Sequence, residues 1–169
     1  MERQVQLDTA AAHRHFSVYC FNRAWDLIEK ADRTAEDDRS MTTLCQASIF
    51  HWSQRPDCED RNMSIGYWQA SRVAALVGDP AGARRYAETC MAYSGDLGPF
   101  YLGYAHEALA RAAVAAGESA STREHLARAE ALVPLVSEKK ARERLAKDIA
   151  DLRCHCRHSA GARRHEIGR

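Results

Sequence analysis

The sequence predicts an all-α protein: a short array of antiparallel helix hairpins, about seven helices in all. Three observations carry that prediction. Hydrophobic residues make up 46% of the 169-residue chain, and many are Ala, which favours close-packed helices over a bulky β core. The 9 Gly and 4 Pro fall mostly where apolar helical periodicity stops. Two segments also share one pattern, an Ala-rich stretch, a Gly, an acid and a second Ala-rich stretch, around Gly78-Asp79 and Gly117-Glu118.

The elements follow in order. Phe16, Cys20, Ala24, Leu27, Ile28 and Ala31 recur at spacings of three and four, predicting a first helix from Asp8 or Thr9 to about Ala31. The polar run Asp32 to Asp38 breaks it. A second helix, from about Arg39 to Gln54, lines up Met41, Leu44, Cys45, Ser48, Ile49 and Trp52 before Pro56 stops it. A third runs from about Glu59 to Val77 and ends at Gly78, the natural residue for a left-handed cap. Asp79-Pro80 restarts the chain, with Asp as N-cap and Pro at the first helical position, and that helix reaches about Ser94. Gly98-Pro99 opens a fifth, which ends at Gly117. A sixth begins between Ser119 and Ser121, where Ser121 and Glu124 fit a capping box, and Pro134 closes it. Ser137 caps a final helix to about Arg153. The plan is one helical domain, residues 1–156: an N-terminal helix pair over 8–55, two further pairs over 59–95 and 99–135, and a capping helix over 137–156. Residues 157–169 lose apolar periodicity and are expected to form a basic flexible tail.

Charge and cysteine usage narrow the partners. A net charge of +1 supports neither nucleic acid nor a membrane surface. It is unevenly spread, with nine acids and four bases from Asp26 to Asp60, and ten bases and five acids from Ser137 to Arg169. Two solvated ends fit that asymmetry, and so does a basic docking face. No basic-aromatic interleaving of the kind that holds single strands is present, so nucleic acid is not the expected partner. No apolar run is long enough for a membrane span. Six irregularly spaced Cys, and no secretory-type apolar run in Met1 to Ala12, lead us to expect a reducing, cytoplasmic setting.

Few constellations suggest chemistry. Cys154-His155-Cys156-Arg157-His158 is the most metal-like cluster. Cys154 and His158 share a helix face and Cys156 does not, while a tetrahedral zinc site needs four ligands. No metal or cofactor is expected. His13 and His15 point to different faces of one helix. Ser137-Glu138-Lys139-Lys140 matches a Ser-x-x-Lys nucleophile motif, but its place at a helix start makes it a cap.

Around the two Gly-acid junctions the pattern resembles the tetratricopeptide repeat, a helix pair of about 34 residues. Counting back from Gly78, one repeat begins at Ser64. It puts Tyr67 in the aromatic slot, Ala70 and Ser71 in the Leu-Gly slots, and Ala83, Ala87 and Cys90 along the second helix. Counting back from Gly117, another begins at Gly103, with Leu109 and Ala110, then Leu126, Ala129 and Pro134. His106 in the aromatic slot and Thr122 in the small slot depart from the pattern. The two Gly lie 39 residues apart, and the excess falls in the Gly95 to Leu102 connection. The first two helices lack the motif. A stretch there, Asn22 to Leu27, with His51-Trp52, resembles uncharacterised bacterial proteins and implies no activity.

The resemblance implies a right-handed α-solenoid whose first helices line a concave groove. Its groove-facing positions fall on Ile65, Trp68, Arg72 and Ala75, then on Tyr104, Glu107, Arg111 and Val114. The implied function is a non-catalytic binding module or scaffold for a peptide or partner protein. Arg72 and Arg111 would anchor acidic groups, and Trp68, Tyr104 and Glu107 would shape the site. Arg72 pairing with Glu107 across an ion-paired surface fits the same residues. The Lys and Asn clamp for a C-terminal carboxylate is absent. An alternative reading is a small-molecule- or metal-dependent enzyme, with a pocket built from Asn22, Asp26, His51 and Arg72. An uncovered array end also allows a homodimer.

Overall fold

The structure, a computed structural model, describes residues 8–166, with side chains as far as Cys154. Among them are seven α-helices and no strand: α1 (Thr9–Ile28), α2 (Ala35–Ser53), α3 (Asp60–Leu76), α4 (Pro80–Ser94), α5 (Pro99–Ala115), α6 (Ser119–Leu132) and α7 (Lys139–Glu166). A single 3₁₀ turn, Val133–Leu135, precedes α7. None of these helices is long and apolar enough to cross a membrane.

Local chemistry sets the boundaries. Asp79 accepts a hydrogen bond from the Gly82 amide at 2.9 Å, and Pro80 occupies the first turn of α4. Gly78 and Gly117 both take positive φ, 78° and 75°. Each lets the following acid close the helix, Asp79 N–H to the Ala74 carbonyl and Glu118 N–H to the Ala113 carbonyl, both at 2.9 Å. These are Schellman closures, which Gly adopts without the Cβ penalty.

Several boundaries differ from the sequence expectation: α1 ends at Ile28 and not near Ala31, and α6 starts at Ser119 after Glu118, so Ser121 lies inside it and the Ser121–Glu124 capping box does not form. Helix α2 starts at Ala35 instead of Arg39, because Thr34 and Asp37 form a reciprocal capping box inside the polar run. Helix α7 is capped by Glu138, whose carboxylate accepts from the Lys140 and Ala141 amides at 2.8 and 2.5 Å, and not by Ser137. It continues to Glu166, past Cys156. The side chains of Cys156 and His158, and the end of the expected tail, lie outside the described residues.

Packing is sequential. Helices α1 and α2, α3 and α4, and α5 and α6 form hairpins; α3 packs on α5, and α5 on α7. Buried hydroxyls and an amide latch the hairpins at single registers. Ser48 donates to the Ser17 carbonyl at 2.7 Å, Ser71 to the Ala83 carbonyl at 2.8 Å, and Gln69 to the Phe21 carbonyl at 3.0 Å. One apolar cluster, with Ala24, Leu27, Met41, Cys45, Met63 and Val73, serves the first half. A second, with Leu126, Ala129, Leu145, Ile149 and Leu152, serves the second half. Fully burying a Leu or Ile contributes about 1.5–3 kcal/mol. Gly103 permits the close approach of α7, since a Cβ there would lie 2.5 Å from a Leu145 methyl.

Candidate functional site

The odd-numbered helices touch one another in a row, and aromatic rings mark the line of contact. Phe21 and Trp25 leave α1 at helical spacing, their ring centroids 6.4 Å apart. Trp25 meets Trp68 of α3 at 5.5 Å, Trp68 meets Tyr104 of α5 edge-on at 5.0 Å, and Tyr104 meets Phe100 at 5.0 Å. Edge-to-face and tilted pairs at these distances are the favoured aromatic arrangements. They wall a cavity of about 490 Å³ that Ile65 and Tyr101 also line, with Glu29 of the α1 end and Arg144 and Asp148 of α7 as its charged members. A cavity of that size, apolar with few polar groups, has the anatomy of a ligand site.

Behind this wall lies a buried polar network. Glu107 is fully buried. Trp68 Nε1–H donates to its Oε2 at 2.8 Å, and Arg111 donates Nε–H to Oε1 at 3.1 Å and a second N–H to the same oxygen. A buried carboxylate is tolerated because it is paired and hydrogen-bonded. The Tyr104 hydroxyl donates to Asp148 Oδ2 at 2.7 Å, tying α5 to α7. Burial and the Asp148 carboxylate push the Tyr104 hydroxyl well above its ordinary range, so it stays a donor.

Arg72 stands apart. Its guanidinium lies 5.4 Å from the Trp25 ring centroid, in cation–π range. Its Nε is buried with no hydrogen-bond partner. Burial first, and the Arg111 charge second, push its pKa down.

The structure therefore gathers Trp68, Arg72, Tyr104, Glu107 and Arg111 in one region but divides their roles. Trp68 and Tyr104 line the cavity, and Arg72 flanks it through Trp25. Glu107 is no groove wall, and Arg111 is committed to it; the ion pair across this surface is Arg111–Glu107, not Arg72–Glu107. The residues of the enzyme reading are dispersed. Asn22 and Asp26 are exposed on α1, with Asp26 paired to Arg23 at 3.1 Å. His51 Nδ1 lies 2.9 Å from His13 Nδ1, roughly two and a half turns before Asn22 on α1. None of the three lines the aromatic cavity. A hollow of about 500 Å³ between α1 and α2 is lined by others, among them Tyr19, Arg23 and Asp37.

Sequence reasoning missed eight lining residues, among them Phe21, Trp25, Glu29 and Ser64. Phe100 and Tyr101 precede the second repeat register, and Arg144 and Asp148 lie on a helix outside it. The one legible signal was the spacing Phe21, Trp25 on α1, two rings on one helix face. No protein-family model, curated protein or solved structure matches the chain significantly.

Proposed function

We propose that this chain is a non-catalytic binding module that takes a peptide or a segment of a partner protein along its row of odd-numbered helices, in the manner of tetratricopeptide repeats. The observation that carries the reading is the aromatic cavity. Six rings from three helices leave a space of about 490 Å³ between them, where a well-packed core closes such space. Large apolar walls with a few charged groups supply contact area and orientation, the usual division of labour in recognition pockets. The buried Glu107 network behind the wall holds Trp68 in place, which reduces the ordering cost on binding.

The test is selection of random peptides displayed on phage against the full chain, with counter-selection against a variant whose cavity is plugged. Ile65→Trp adds bulk at a partly exposed cavity residue (36% exposed) without changing charge. Peptides enriched on the wild-type chain and lost on the plugged variant are the expected result. Peptides that bind both equally, or no enrichment, would count against the cavity as the site.

A further inference from the structure

Building on that groove reading, we infer that the ligand is an acidic peptide. Its large apolar or aromatic side chain sits among the rings, and a carboxylate two residues away bonds to Arg72.

Arg72 is the group left unsatisfied by the fold. Arg111 has Glu107, and Asp148 accepts from Tyr104. Arg72 has neither an ion pair nor a hydrogen bond among the described residues, and one of its nitrogens is already removed from water. A cation held in that state gains more from an arriving anion than a solvated one does, since part of its desolvation is already complete. The charges that line the cavity itself are mixed, Arg144 against Glu29 and Asp148, so the preference for an acidic group rests on Arg72 beside it.

The same surroundings argue against two other ligand classes. A cationic ligand would seek the indole faces, but the Arg72 guanidinium already lies over the Trp25 ring. A phosphate dianion would bring twice the charge of a carboxylate against the neighbouring Asp148 and Glu107 carboxylates, while Arg111 is engaged. A single carboxylate matches a single forked guanidinium. Spacing sets the register. Arg72 lies one turn from Trp68, about 6 Å along α3, and alternate residues of an extended peptide stand about 7 Å apart on one side. The predicted motif is a large apolar residue, any residue, then Asp or Glu.

Peptides recovered from the display selection above are synthesised with amidated C-termini and titrated against the full chain by isothermal calorimetry. The expected result is that they share this motif. Changing the acid to Gln should weaken binding about tenfold or more, and Arg72→Met should weaken the acidic form to the level of the Gln form. The Gln peptide leaves the protein untouched, so the comparison stands even where Arg72→Met fails to fold. Enriched peptides that are neutral or basic, or acidic ones indifferent to both changes, overturn the inference while leaving the cavity as a peptide site. A phosphoserine peptide that binds more tightly than its Glu counterpart overturns the carboxylate assignment. Failure of the groove reading is distinct, because no peptide then depends on the cavity plug.

Discussion

Hairpins α3–α4 and α5–α6 are written in one register, 39 residues apart, and each turns on a Gly of positive φ, yet their equivalent side chains do different work. Their core positions agree: Ala83, Ala87 and Cys90 in the first, and Thr122, Leu126 and Ala129 in the second, are all buried. Off the core they diverge. Trp68 and Glu107 are register partners that bond to each other across α3 and α5. Tyr67 and Tyr86 stack in the first hairpin; their counterparts His106 and His125 stack in the second, with Nδ1 atoms 3.2 Å apart. Arg72 is unpaired among the described residues, and Arg111 is locked to Glu107. A shared register fixes where a side chain stands on its helix; its neighbours decide which partners it finds.

Glu107→Ala should break this comparison most severely. It leaves the Arg111 charge and the Trp68 N–H without their buried partner, and we expect a loss of about 3–5 kcal/mol in urea unfolding. Next comes Gly103→Ala, which forces the fully buried Leu145 aside. A destabilisation of about 1–3 kcal/mol is expected, with a weakened α5–α7 junction visible as faster amide exchange in α7.

Smaller effects sharpen the contrast between the small-residue slots. Ser71 reaches across its hairpin to the Ala83 carbonyl, whereas the Thr122 hydroxyl bonds to Glu118 in its own helix at 2.9 Å. Ser71→Ala should therefore cost about 1 kcal/mol, and Thr122→Val within about 0.5 kcal/mol, both read from denaturation midpoints. Equal losses would show that the two slots are not differentiated.

The histidine pair has its effect only in acid. Burial and the neighbouring His125 hold the His106 pKa down to about 4, while the unfolded chain protonates its His near 6.5. Stability tied to the neutral pair is thus complete above pH 6.5 and declines as pH falls toward 4. The double variant His106→Tyr/His125→Tyr, which copies the first hairpin, should flatten the decline between pH 7 and 5 relative to wild type. An unchanged pH profile would rule the pair out as its source.

Much of the fold was legible in the sequence because its punctuation is local. Gly78, Asp79-Pro80 and Gly117 act within a turn of themselves, and apolar spacing located every helix. The start of α2 was missed because Thr34 and Asp37 sit inside a run that looks like linker until their side chains are seen to close on each other. The site was legible only in part. The repeat register placed Trp68, Arg72, Tyr104, Glu107 and Arg111 together, but it could not tell which Arg would claim Glu107. That choice rests on the i, i+4 geometry of Glu107 and Arg111 on one helix. Nor could it reveal Asp148, since α7 lies outside the register.

Arg111 is held by Glu107, while its register equivalent Arg72 has no ion pair among the described residues; the proposed function reserves Arg72 for the ligand. Urea unfolding of Arg72→Met and Arg111→Met side by side, with and without a selected peptide, tests it most directly. Arg111→Met should lose about 3–5 kcal/mol. Arg72→Met should lose no more than about 1 kcal/mol and gain no stabilisation from the peptide. Equal stability losses for the two variants, or full peptide stabilisation of Arg72→Met, would contradict it.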